Sequence, residues 1–288
     1  MSTQVLAGSR LFVERKMIET KGNFEFIGNS AFVCQSGCSN NAHNYAQMIY
    51  ADIDGDSSTF NSSMAHLTLP NNATVEWAGL YWGGTVNVST SVWSGLINAP
   101  DGSQRNRIKL KTPQNNQYIE INATVSDTIS GSPTTGWQAY QAFADVTDVV
   151  RNSGAGDYTL ADLQVDYGGG NESTSFTGPF GGWNLIVVYS DDNEKLRRIN
   201  VWDGYDFIYF SSANKSFPIN HIRTPLSGTF EAEVAFSCYD GERVNLNGGG
   251  YNGDFVAINQ ASNTLSNNLN NADNVCNGTI SKHGVNMT

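Results

Sequence analysis

Asp52, Asp54 and Asp56 form the densest carboxylate cluster in the chain, within ADIDGDSSTFNSS, which starts at Ala51. At alternate positions of an extended segment, all three point to one side. Carboxylates crowded in this way repel unless a cation neutralises them. A donor set made only of oxygen suits a hard cation such as Ca2+, and Thr59, Asn61 and neighbouring carbonyls could complete the shell. The spacing is not that of an EF-hand: the glycine, Gly55, comes too early, and Ser63 stands where the closing glutamate belongs. The bland alternative is a solvated acidic turn between strands. A second, weaker acidic group consists of Asp240, Glu242 and Asp254, whereas Asp191-Asp192 reads as a plain turn.

Cys34 and Cys38 lie in CQSGC, and Cys238 and Cys276 lie far downstream. Proximity favours the pairings Cys34–Cys38 and Cys238–Cys276. Free thiols and a zinc site are the alternatives, although neither pair has the C-x2-C spacing of zinc ribbons and no histidine stands at ligand spacing. Disulfides would place the chain in an oxidising, extracellular setting.

Signals for catalysis are thin. His43, His66, His221 and His283 are scattered, with no H-E-x-x-H and no G-x-S-x-G. Gly168–Gly170 and Gly248–Gly250 lack the lysine of a phosphate-binding loop. Nothing selects a carboxylate pair for glycoside hydrolysis. Trp77, Tyr81 and Trp82 sit on the clearest strand and read as core. Trp93 and Trp137 stand in loop-like contexts and are the candidates for an exposed sugar-binding platform. Eight Asn-x-Ser/Thr sequons occur among 33 asparagines, about what chance gives, so they say nothing about glycosylation.

These residues need a scaffold, and the pattern points to an all-β one. Short runs rich in Val, Ile, Tyr, Phe and Trp are separated by Gly, Asn, Asp and Ser clusters, which predicts a large antiparallel β-sandwich, jelly-roll-like, with long polar loops. Strands are expected at 11–13, 24–26, 74–82, 107–110, 117–125, 158–167, 183–189, 229–238 and 255–258. The residues of 74–82 do not alternate cleanly, which implies cover on both faces, and WNLIVVY from Trp183 should be central. Asp203-Gly204 reads as a hairpin turn between strands 197–202 and 205–210. A single short helix is expected, with Thr147 as its cap, Asp148 in its first turn and Gly154 at its end. The Asn-rich stretch 259–277 reads as irregular surface.

The chain has 288 residues and a net charge of −11, with only 15% charged residues. The acidic balance argues against nucleic acid. No run of about 18 apolar residues exists, so no membrane span is expected. The first residues lack the basic-then-apolar profile of a signal peptide. Composition does not shift along the chain, so residues 1–288 read as one domain. The abrupt end at HGVNMT suggests a piece of a longer surface protein.

Four segments carry a resemblance: DIDGDSSTFNSSMAHLTLPNNATVEWAGLYWGG, YQAFADVTDVVRNSGAGDYTLADLQV, GGWNLIVVYSD and RRINVWDGYD. Together they resemble, in the same order, a pattern in very large secreted surface proteins of gliding and related bacteria, including gliding-motility adhesins exported by the type 9 secretion system. The resemblance covers residues 51 to about 206. It implies a β-sandwich module exposed at the cell surface, dependent on the type 9 secretion machinery, gripping a surface or glycan ligand and having no catalytic activity. The cysteines and the Asn-rich tail are not part of the pattern. The expected function is therefore a calcium-stabilised adhesin module in attachment or gliding. A filament or pilus-like subunit that self-associates through a strand edge or a donated N-terminal strand is one alternative. A lectin or glycan-active enzyme is the other.

Overall fold

The computed structural model describes residues 8–36, 46–87, 95–130, 137–169, 179–208, 214–224, 226–241 and 253–287. In chain order the strands are β1 (Arg10–Ser30), β2 (Phe32–Ser36), β3 (Gln47–Tyr50), β4 (Ser62–Leu67), β5 (Thr74–Asn87), β6 (Leu96–Ile97), β7 (Arg107–Thr112), β8 (Asn115–Asn122), β9 (Val125–Ser130) and β10 (Trp137–Asp145). The helix α1 (Thr147–Ser153) follows, then β11 (Gly156–Ala161), β12 (Tyr167–Gly168), β13 (Gly181–Ser190), β14 (Leu196–Tyr205), β15 (Ser281–Lys282) and β16 (Val285–Asn286). A six-stranded sheet runs β14-β1-β13-β5-β10-β9, and a four-stranded sheet runs β4-β11-β7-β8. A second four-stranded sheet, of shorter strands, runs β2-β3-β12-β6. Among the described residues the ladders are antiparallel, giving the expected all-β, sandwich-like fold.

One core joins the two larger sheets. Ala78, Leu80 and Trp82 of β5, with Trp183, Leu185 and Val187 of β13, pack with Leu67 of β4, Ile108 and Leu110 of β7 and Tyr158 and Leu160 of β11. Two large side chains of this core have their polar atoms matched: Trp183 Nε1 donates to Ser63 Oγ at 2.9 Å, and Tyr140 OH donates to the Gln164 carbonyl at 2.8 Å. The opposite face of β5 is buried too, under Trp77, Tyr81 and Phe143. Gly79 makes that possible: a Cβ there would stand 2.4 Å from the Trp77 ring and 3.0 Å from Phe143. The aromatics of β5 are core on both faces, as the sequence suggested.

The first two expected strands, 11–13 and 24–26, are one strand of 21 residues. β1 pairs with β14 from Arg10 to Lys21, with two register shifts, and with β13 from Gly22 to Ser30, so the strand continues from one partner to the next. Asp203-Gly204 is not a turn. Neither residue adopts the positive φ that a tight hairpin needs, and β14 continues through them to Tyr205, pairing Asp203 with Val13. Gly204 is there for contact, since a Cβ would lie 2.6 Å from the Phe12 ring.

Strand 117–125 ends at Asn122, and the chain then changes sheets to begin β9 at Val125. Strand 158–167 breaks at Asp162, which adopts a φ of 58°. The helix ends as expected, with Gly154 N–H donating to the Val150 carbonyl at 2.8 Å. Its start differs. Thr147 is already helical, and Asp145 Oδ1 accepts the Thr147 N–H at 3.0 Å, while Thr147 Oγ1 accepts the Ala78 N–H at 3.0 Å.

Residues 229–238 and 255–258 form no strand. The Asn-rich stretch 259–277 is irregular, but it is not all surface. Asn270, Asn274 and Asn277 are buried. Asn270 donates to the Val275 carbonyl, Asn277 Oδ1 and Thr279 Oγ1, and its own oxygen accepts from Ser281. An amide can satisfy several backbone groups at once, so this segment holds its shape with a polar core. Cys238 and Cys276 form a disulfide that ties it to the segment before it. Cys34 is disulfide-bonded; Cys38 lies outside the described residues. No helix among them is long and apolar enough to cross a membrane.

Candidate functional site

Alternation along β7 sorts its residues between two environments. Ile108 and Leu110 enter the core, which leaves Arg107, Lys109 and Lys111 as a basic stripe on the outer face. β8 lies alongside, with Lys109 paired to Glu120 and Arg107 to Asn122. The acidic loop between β3 and β4 crosses this stripe. Lys111 Nζ donates to Asp54 Oδ2 at 3.2 Å, and the Tyr118 hydroxyl donates to the same oxygen. Lys109 Nζ donates to the Ser58 carbonyl at 2.6 Å and forms an ion pair with Asp162 Oδ2 at 2.8 Å.

Asp54 is the anchor of this loop. Burial alone would raise its pKa, but the hydrogen bonds from Tyr118, Ser62 and Lys111 outweigh burial and hold it at about 2. Its other oxygen, Oδ1, accepts from Ser62 Oγ at 2.9 Å and from the Asp56 N–H at 3.3 Å. Asp52 Oδ1 accepts the Gly55 N–H at 3.2 Å, an intraloop turn bond. Asp56 is half-buried, and the N–H and hydroxyl of Ser58 keep its pKa below the ordinary carboxylate value. Thr59 Oγ1 donates to the Asp56 carbonyl at 3.0 Å. Asn61 turns inward, donating to the Leu163 carbonyl at 2.8 Å and accepting the Leu163 N–H at 3.0 Å.

Of the five residues expected to share a calcium ion, Asp52 and Asp54 converge on the Ser62 hydroxyl, at 3.3 and 2.9 Å, while Asn61 turns away into the interior. The Asn61 amide is committed to Leu163, and Asp54 already carries an ammonium. Among the described residues no group of three or more His, Cys, Asp or Glu side chains gathers as a metal site. In this arrangement the loop is also tied down from within the protein, by lysines that the sequence reading left out because they lie 51 and 57 positions away. In the second acidic group, Asp254 Oδ2 accepts the Cys276 N–H at 2.8 Å, and Glu242 lies outside the described residues.

Beside the loop, a cleft of about 230 Å³ opens on the same face, lined by Asp101, Gln104, Arg107, Glu120, Asp162 and Gln164. Its charges are largely matched to one another: Arg107 pairs with Glu120 at 3.3 Å and Asp162 with Lys109. Gln164 Oε1 accepts the Asp101 N–H at 2.9 Å.

The strongest ionic cluster lies elsewhere. Asp203 accepts from Arg10 Nη1 at 2.8 Å, from Arg15 Nε at 2.7 Å and from the Tyr81 hydroxyl at 2.9 Å. Arg10 also grips Asp127 at 2.8 Å, and Arg15 lies over the Phe143 ring, 4.6 Å from its centroid. Burial would raise the Asp203 pKa, but Arg15 and Arg10 overcome that and lower it. Reading Asp203-Gly204 as a turn hid this cluster; the two arginines five positions apart on β1 were the available signal.

Asp166 was also missed. It is buried, with Oδ1 accepting the Ala99 N–H at 2.9 Å and Oδ2 lacking a partner. Burial pushes its pKa up to about 6, against the opposing effect of the Ala99 and Asn87 N–H groups.

The histidines are surface partners of carboxylates. His66 meets Asp157 at 2.6 Å, His221 meets Glu14 at 3.3 Å and His283 meets Glu233 at 2.8 Å. His43 and Trp93 lie outside the described residues, as does the side chain of Trp137. Of the N-terminal segment expected as a donated strand, Arg10 to Val13 begin β1 against β14. No protein-family model matches the sequence, and neither a curated protein nor a solved structure shows detectable similarity to it.

Proposed function

We propose that the chain is a non-catalytic attachment module of a large bacterial cell-surface protein, acting in adhesion or gliding. One observation supports this above the rest: the side chains best suited to chemistry are engaged in closing the fold. Asp54 is held by Lys111 and Tyr118, Asp203 by Arg10 and Arg15, and Asn61 by Leu163. Such bracing suits a part that transmits force between a cell and a surface. The Cys238–Cys276 disulfide fits an oxidising exterior. Export by the type 9 machinery follows from the four sequence segments alone.

Lys111 already neutralises Asp54, so we assign closure of this loop to the lysines. The test of the overall reading is made on cells that produce the parent protein. Antibodies to residues 1–288 should label intact cells, and deleting those residues should abolish attachment or gliding while export of the parent continues. Labelling only after lysis, or unimpaired attachment, would sink the reading. A glycan array identifies a sugar ligand, and turnover of any bound glycan would overturn the non-catalytic part.

A further inference from the structure

Residues 229–238, TFEAEVAFSC, have the alternation of a strand and yet belong to no ladder. Among the described residues the whole stretch 214–241 makes no backbone–backbone hydrogen bond. Every residue from Thr229 to Cys238 is exposed, including Phe230 at 56%, Val234 at 51% and Phe236 at 37%. The polar row of the same segment is already anchored to its own protein: Glu231 by Lys195 at 2.8 Å, Glu233 by His283 at 2.8 Å and Ser237 by Asn184 at 3.1 Å. The disulfide fixes its end at Cys238. The segment is thus held in place by its polar side chains, while its apolar row stays partly exposed and, among the described residues, its backbone groups make no backbone–backbone hydrogen bond. Free N–H and C=O groups beside an apolar row are a template for strand addition.

The pattern also says what the segment can accept. We propose that residues 230–238 pair antiparallel with the same residues of a second copy of this chain, on a two-fold axis at Val234. In that register Val234 faces Val234, Ala232 faces Phe236, Glu231 faces Ser237 and Glu233 faces Ala235. Apolar residues meet apolar ones, and neither glutamate meets a like charge, which would be destabilising directly across an antiparallel pair. Shifting the pairing so that the axis falls on Glu233 sets that carboxylate against itself. Shifting it by a single residue position places the apolar row against the polar one. The interface is self-complementary, as a two-fold dimer requires.

The test is sedimentation velocity and light scattering of the 288-residue chain over a wide concentration range. Dimer is expected. Ser237→Glu, which brings a carboxylate to face Glu231, should return the chain to monomer, whereas Ser237→Lys should hold the dimer at lower concentration. Val234→Cys should cross-link two copies in mild oxidant and Glu231→Cys should not, a readout that needs no loss of fold. A chain that stays monomeric at every concentration would overturn the proposal, as would a dimer indifferent to the charge at position 237.

Discussion

Lys111 Nζ stands 3.2 Å from Asp54 Oδ2 and joins the outer face of β7 to a loop 57 positions earlier in the chain. This contact decides how the acidic loop closes. A half-buried pair with a second donor on the same oxygen is worth more than an open surface pair, which contributes about 0–1 kcal/mol. Lys111→Met should therefore lower stability by about 1 kcal/mol, as read by urea denaturation. EDTA should leave the melting temperature of the unaltered chain unchanged. In the Lys111→Met chain, Asp54 loses its internal cation, and added Ca2+ should raise the melting temperature by mass action. A drop on chelation in the unaltered chain would return the loop to calcium.

Acid should open the same loop in a defined window. The folded pKa of Asp54, about 2, lies below the ordinary unfolded value. Its contribution is therefore complete above about pH 4 and is lost as pH falls towards 2. Asp54→Asn should cost about 1–2 kcal/mol at neutral pH, and the gap from the unaltered chain should close on acidification. A gap that stays constant between pH 6 and pH 2.5, values chosen on either side of that roughly two-unit window, would show that charge on Asp54 is irrelevant.

Asp203 is the hub of a different brace. It is 5% exposed and answers two guanidinium groups and a buried hydroxyl. Removing one partner of a buried pair leaves uncompensated charge, which costs about 3–5 kcal/mol. Asp203→Ala should fall in that range, and Arg15→Met should cost less because Arg10 still neutralises the carboxylate. Thermal unfolding of the two variants and of the double variant measures the coupling. Additive effects would mean that Arg15 and Asp203 do not act together.

The sequence made the sheet layers legible and left the braces hidden, for one physical reason. Apolar alternation is a local signal, so WNLIVVY declared a central strand and Val75 to Trp82 declared cover on both faces, and both are so. Ion pairs are not local. Lys111 reaches Asp54, and Arg10 reaches Asp203 across 193 positions, and no spacing rule connects them. Asp203-Gly204 shows local chemistry misleading: a good turn dipeptide was overridden by pairing with β1 and by Phe12 against Gly204. The segment 229–238 shows the reverse, a strand pattern that joins no strand among the described residues.

Reduction should act mainly on the C-terminal part. The Cys238–Cys276 bridge closes a loop of sequence separation 38, and chain-entropy reasoning assigns such a closure about 3–4 kcal/mol. The described part of the enclosed segment, from Gly253, is held by a few backbone hydrogen bonds and by asparagine hydrogen bonds such as those of Asn270. Cys238→Ser with Cys276→Ser should therefore hasten proteolysis within 253–287 while the two main sheets keep their hydrogen-exchange protection. Equal loss of protection in β5 and β13 would show that the bridge supports the whole fold.

Asp166 should make the fold less stable in alkali. Its folded pKa of about 6 lies above the ordinary carboxylate value, so the folded state binds a proton more tightly than the unfolded chain does. Stability from this group is complete below about pH 4 and falls as pH rises through 6. Above that, a charge sits in the interior with Oδ2 unpartnered, a cost of about 2–3 kcal/mol. Asp166→Asn keeps an oxygen to accept the Ala99 N–H and carries no charge. It should be close to neutral at pH 4 and stabilising by about 1–2 kcal/mol at pH 8, the shortfall reflecting an amide hydrogen left without an acceptor. Denaturant titrations of both chains at the two pH values decide it. A difference of the same size at pH 4 and pH 8 would mean that Asp166 does not titrate between them, and that its bare oxygen has found a partner or water.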